Sequence, residues 1–166
     1  EMLAEDQKSK SMQSAKAFTL KVIGEVHSAR KEWNEATEYY RQSLEIQENL
    51  AKNDAKDASA NSRLAYILTN LGEASANLNQ GIAALDYHKR AIQIFEELFE
   101  NDKENSNLAV WLNRALHKKG DTLVKLGKAN DALVFYHRAL KSNEEMAAQD
   151  LENIDIRWQL AIDYLQ

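Results

Sequence analysis

Residues 130–140 read NDALVFYHRAL, residues 82–92 read IAALDYHKRAI, and residues 34–44 read NEATEYYRQSL. Each carries an alanine (Ala132, Ala84, Ala36), then a ring four places on (Tyr136, His88, Tyr40), then a small residue three further (Ala139, Ala91, Ser43). Spacings of four and three put all of them on one face of a helix. The phrase returns every 48 residues, and Gly24, Gly72 and Gly120 keep the same step twelve places ahead of each alanine. Asp6, Asp54, Asp102 and Asp150 extend that phase along the chain. Internal repetition at this period is the signature of stacked supersecondary units, none of which can bury its apolar face alone.

Composition agrees. The 166 residues are 44% hydrophobic and 28% charged, with no proline and little strand-like alternation, so the chain reads as helix throughout. A net charge of -5 disfavours nucleic acid, whose phosphates require a positive surface. No apolar run approaches the roughly 18 residues that cross a bilayer. Without cysteine there are no disulfides, which fits a reducing, cytoplasmic location. The chain starts at Glu1 with no charged-then-apolar leader, so any targeting signal is expected to have been removed or to lie outside it.

Two helices are expected in each unit. Ser9, Asp57, Asn105 and Asn153 stand three residues past the repeated aspartates and are good N-caps, so a first helix is expected to begin near residues 10, 58, 106 and 154. It runs to about Arg30, Leu78 and Leu126, where short polar turns follow. The opening phrase then lies on a second helix that stops near Asn53, Asn101 and Gln149. Glycine inside a helix costs about 1 kcal/mol relative to alanine. Gly24, Gly72 and Gly120 are therefore expected where the partner helix comes close, facing Ala36, Ala84 or Ala132, with Tyr40, His88 or Tyr136 filling the gap one turn later.

This pattern resembles the tetratricopeptide repeat. Leu68-x-x-Leu71-Gly72 with Ala84, His88 and Ala91 fits it, as do Leu116, Gly120, Ala132, Tyr136 and Ala139, and Leu20, Ile23, Gly24, Ala36 and Tyr40. The period exceeds the usual 34 by fourteen, which implies about two extra turns per helix, as in a long-repeat bacterial variety. The resemblance implies an all-α, right-handed α-solenoid of antiparallel hairpins. It has three full repeats, 7–54, 55–102 and 103–150, with residues 1–6 ending a preceding second helix and 151–166 starting the first helix of a fourth unit. The ends read as a cut from a longer array, and Leu160, Ile162 and Tyr164 are expected to offer an apolar face for end-to-end self-association.

No catalytic constellation, cofactor loop or metal-ligand spacing stands out. His27, His88, His117 and His137 are scattered, and His27 and His88 occupy ring positions of the core. Trp111 and Trp158 read as packing between repeats rather than as anchors for a peptide. Glu25, Glu73 and Asp121 follow the glycines in a column; a metal or basic-peptide site is conceivable, and a solvated row paired with Lys or Arg is favoured.

The resemblance further implies a non-catalytic scaffold for protein interaction, whose first helices line a concave groove. Groove positions then fall on Phe18, Lys21, Val22 and Glu25; on Tyr66, Thr69, Asn70 and Glu73; and on Arg114, His117, Lys118, Asp121 and Lys125. Family members that hold the acidic tails of heat-shock chaperones use a clamp matched by Lys21, Asn70, Arg114 and Lys118, while Glu25 stands where the clamp has asparagine. The expected partner is a protein or peptide, in its sharper form an acidic one. The alternative is a structural or regulatory spacer that packs on a neighbouring domain of the same polypeptide.

Overall fold

The computed structural model describes residues 2–149, with side chains from 7 to 148. It holds six α-helices: α1 (Met2–Ala29), α2 (Trp33–Asn53), α3 (Ala58–Asn77), α4 (Gly81–Asn101), α5 (Ser106–Lys125) and α6 (Ala129–Gln149). Helices of 20 or 21 residues are about 30 Å long at 1.5 Å per residue. The second helices begin at Trp33, Gly81 and Ala129, 48 positions apart. Each helix packs antiparallel on the next, and α1 also touches α3, as α3 touches α5. The first helices therefore form the inner layer of an α-solenoid and α2, α4 and α6 the outer one.

One continuous core runs through the array, from Ala36, Tyr40 and Leu44 through Leu64, Leu68, Leu71, Ala91 and Phe95 to Leu112, Leu116 and Ala139. Each unit completes the interior of its neighbour, as the amphipathic spacing requires. Cross-unit ion pairs on the outer layer also keep the 48-residue step, with Arg90 on Glu48 and Arg138 on Glu96, both at 2.5 Å.

The turns between paired helices repeat as well. Lys31, Asn79 and Gly127 all have left-handed backbone, with φ of 61°, 59° and 74°. In each turn the following N–H reaches back five residues: Glu32 to the His27 carbonyl, Gln80 to Ser75 and Lys128 to Leu123, all at 2.9 Å. This is the Schellman closure, which satisfies carbonyls that a helix end would otherwise leave unpaired.

Three expectations are corrected here. The glycines do not chiefly make room for alanine. A Cβ on Gly24 would stand 2.6 Å from the Tyr40 ring, on Gly72 2.5 Å from the His88 ring, and on Gly120 2.5 Å from the Tyr136 ring. The ring packs against the glycine, and the missing side chain is the space it occupies. Nor does the first helix begin behind Ser9: α1 is continuous from Met2, because residues 2–11 contain neither glycine nor proline and Gln7, Lys8 and Lys10 are good helix formers. Of the other caps, Asp57 accepts from the Ala60 N–H at 2.9 Å, whereas the Asn105 side chain donates to Asp102 and caps nothing. Third, His27 is half-buried rather than in the core, stacked on Tyr39 and bonded to Glu32 at 2.6 Å. Asn153, Trp158, Leu160, Ile162 and Tyr164 lie outside the described residues.

Candidate interaction groove

The inner face is built from positions four and three residues apart on α1, α3 and α5, so homologous side chains from successive units stand side by side. Phe18, Tyr66 and Arg114 form one such row, and Glu25, Glu73 and Asp121 another. One hydrogen bond joins the two rows, and other side chains pair with the rest of the acidic column. Tyr66 donates its hydroxyl to Glu25 Oε1 at 2.8 Å, and Lys21 holds the same carboxylate at 3.0 Å. Lys118 pairs with Glu73 at 2.7 Å, and the Tyr136 hydroxyl donates to Asp121 Oδ1 at 2.7 Å. The acidic column is thus paired, each carboxylate within its own neighbourhood. Burial, reinforced by the Asp121 carboxylate, pushes the Tyr136 phenol well above its ordinary range.

Of the sequence-predicted groove residues, Lys21, Tyr66, Asn70 and Arg114 come together. Arg114 reaches the Tyr66 hydroxyl at 3.5 Å and Asn70 Oδ1 at 3.3 Å. Its guanidinium lies 5.3 Å from the Tyr66 ring centre and 5.8 Å from that of Trp111, within cation–π range. Trp111 meets Tyr66 edge-on at 4.7 Å. Lys118 and Lys125 stand apart from this group: Lys118 is tied to Glu73, and Lys125 donates to Asn77 Oδ1 at 2.6 Å. His117 sets its ring 5.7 Å from Tyr136.

Two side chains of this face were not among the expected groove residues. Trp111 packs against the core, as expected of it, and also walls an open cleft of about 470 Å³ together with Phe18, Lys21, Arg63 and Tyr66. Arg63 lines the same cleft; its Nη1 bonds the Ser59 hydroxyl at 2.5 Å, and its buried Nε has no partner. Arg63 and Trp111 hold one repeat position, three residues ahead of Tyr66 and Arg114. That i, i+3 relation to the expected row was the available signal.

Beneath the groove, His88 is fully buried between α3, α4 and α5. Thr122 spends its only hydroxyl proton on the Lys118 carbonyl at 2.9 Å, so at 3.2 Å from His88 Nε2 it accepts. The imidazole is therefore assigned as neutral, with its proton on Nε2. Burial first, then the Lys118 and Lys119 charges, push its pKa down to about 3. A buried neutral ring of this kind is structural. Among the described residues no group of three or more His, Asp or Glu could hold a metal ion, and no helix is long and apolar enough to cross a membrane.

Stacked antiparallel hairpins with a side-chain-lined inner face define a helical repeat protein. Tetratricopeptide repeat models match residues 19–54 and 64–103, and a second such model matches 114–146. The chain belongs to the tetratricopeptide repeat family, whose repeats generally mediate protein–protein interaction and act as non-catalytic scaffolds. No curated protein matches it.

Proposed function

We propose that this array binds a peptide or helix along the inner face of α1, α3 and α5, and that an acidic group of the ligand is drawn to Arg114. The carrying observation is that Arg114 reaches from α5 onto α3 and, among the described residues, has only neutral hydrogen-bond partners, the Tyr66 hydroxyl and Asn70 Oδ1. A cation without a counter-charge, between two rings, gains most from an incoming carboxylate. Lys21, Asn70, Tyr66, His117, Lys118 and Lys125 are the remaining contact candidates. Lys21 and Lys118 contribute less to charge selection, because Glu25 and Glu73 already neutralise them.

The test compares acidic, neutral and basic peptides of equal length by amide chemical-shift mapping. Acidic peptides should shift inner positions of α1, α3 and α5 and leave outer positions of α2, α4 and α6 unmoved. Reversing charge at Arg114 and Lys118 together should abolish that binding. Unchanged affinity in the doubly reversed variant would remove the reading.

A further inference from the structure

We propose that the furrow between α4 and α6, on the outer layer, docks a phosphorylated segment of a protein partner, with Lys89 and Lys119 holding the phosphate. The site lies away from the groove and does not depend on how the groove is used. Comparison of equivalent positions selects it. The place filled by Ile23 in the first unit, and by the fully buried Leu71 in the second, is held by Lys119 in the third. A cation where the repeat calls for an aliphatic side chain gives up apolar burial, and such breaks of a local rule concentrate at functional sites.

Among the described residues no carboxylate pairs with it. Lys119 Nζ lies 4.3 Å from the centre of the Phe135 ring and makes no hydrogen bond or ion pair there. The side chain is half-buried, yet its nitrogen is not sealed from water. Burial first, then the Lys89 charge, push the ammonium below its ordinary range; Glu96 opposes them and Arg138 adds to them. Glu96 is already taken by Arg138 Nη2, at 2.5 Å. Three cations thus share one carboxylate, and two positive charges are left unmatched. One unit earlier Arg90 pairs with Glu48 in the same way, but Leu71 stands in the place of Lys119 and that cation is absent.

Charge sets the class of ligand. A carboxylate cancels one of the two, whereas a phosphate monoester carries about −1.5 to −2 at pH 7 with three acceptor oxygens, enough for both ammonium groups. Val134, 65% exposed, stands one turn before Arg138 on the same strip of α6 and offers an apolar contact beside the phosphate. A phosphorylated peptide covers that side chain as well, which a free phosphate ion does not. The net charge of -5 argues against a nucleic acid as carrier of the phosphate.

The probe is an acetylated, amidated Gly-phosphoserine-Leu-Gly peptide, titrated against labelled protein. The reporters are the Val134 amide and the Lys119 Cε resonance, the latter assigned by its loss in K119L. The phosphopeptide should bind with Kd on the order of 1 mM or tighter. The same peptide with serine or glutamate in place of phosphoserine, and inorganic phosphate alone, should each bind about tenfold more weakly. K119L and K89M should each weaken phosphopeptide binding about tenfold, while R114M and K118M, in the groove, stay within about twofold. K119L restores the aliphatic residue of the repeat, so its urea midpoint should rise as its affinity falls, which separates loss of the site from loss of the fold. If the midpoint falls instead, K89M, on the exposed surface, decides.

Equal binding of the serine or glutamate peptide, unchanged affinity in K89M, or shifts at Tyr66 and Asn70 with Val134 unmoved overturn the site. Inorganic phosphate binding as tightly as the phosphopeptide marks an adventitious ion only and removes the protein partner. The groove reading is decided separately, by charge reversal at Arg114 and Lys118.

Discussion

The inner face of this solenoid has two halves made from different repeat positions, one nearer the starts of α3 and α5 and one nearer their ends, and they are charged differently. Around Phe18, Tyr66, Trp111 and Arg114, rings stand beside a guanidinium whose hydrogen-bond partners among the described residues are neutral. Around Glu73, Lys118, Asp121 and Tyr136, each charged group is matched by a neighbour, in ion pair or hydrogen bond. Beneath the second half a ring packs on a glycine, His88 on Gly72 and Tyr136 on Gly120. Repetition therefore builds the wall, and the positions that escape repetition give one half its unbalanced charge.

The largest expected effect tests what supports the balanced half. His88 has a folded-state pKa of about 3, below its ordinary value near 6.5, so protonation favours the unfolded chain. Its contribution is complete above pH 6.5 and is lost as pH falls from there toward 3, at about 1.4 kcal/mol per pH unit. Urea unfolding at several pH values should show that slope, and His88→Phe, which keeps a ring that cannot titrate, should flatten it. An identical pH dependence in the variant would mean that the buried imidazole is not responsible.

Gly120→Ala comes next. Its Cβ would meet the Tyr136 ring, and overpacking of that kind less the helix-propensity gain should leave a loss of about 2 kcal/mol. The urea midpoint should fall, and Tyr136 should be displaced from Asp121. A gain in stability would show that the ring can move aside freely.

The turns offer a smaller, stabilising change. Lys31 holds a φ of 61° that costs a side-chain-bearing residue strain. Lys31→Gly should raise stability by about 1 kcal/mol, and Asn79→Gly by less, since asparagine tolerates that region. Thermal melts of the two variants check the order.

The smallest effect on stability bears most directly on the contrast between the halves. Glu73 and Lys118 are both partly exposed, so Glu73→Gln should cost only about 0.5 kcal/mol. It leaves Lys118 without its carboxylate, however, and the balanced half should then hold acidic peptides several-fold more tightly. Shift mapping at Tyr136 and Val124 reports this; no change in affinity would show that the internal pair does not restrain the groove.

Much of this was legible beforehand. The 48-residue step of Gly24, Gly72 and Gly120 with Tyr40, His88 and Tyr136 located five of the six helices to within a residue or two, because apolar period and turn chemistry are local properties. The first helix escaped because its start depends on what halts it, and Ser9 does not halt it. In the groove, Tyr66, Asn70 and Arg114 were expected from the family resemblance. Arg63 and Trp111 were not, since their importance lies in a cleft shared by three helices. The pairing of Lys118 with Glu73 spans 45 residues and two helices, so no spacing rule reaches it.

The sequence by itself determined the hairpin, its repetition and the face each helix buries, since these follow from helical periodicity and from glycine, alanine and ring at fixed offsets. Only the tertiary structure decided which charges on the inner face cancel and which stand alone. Coulomb interaction depends on separation in space, and neighbouring units bring together residues that the chain keeps more than forty positions apart.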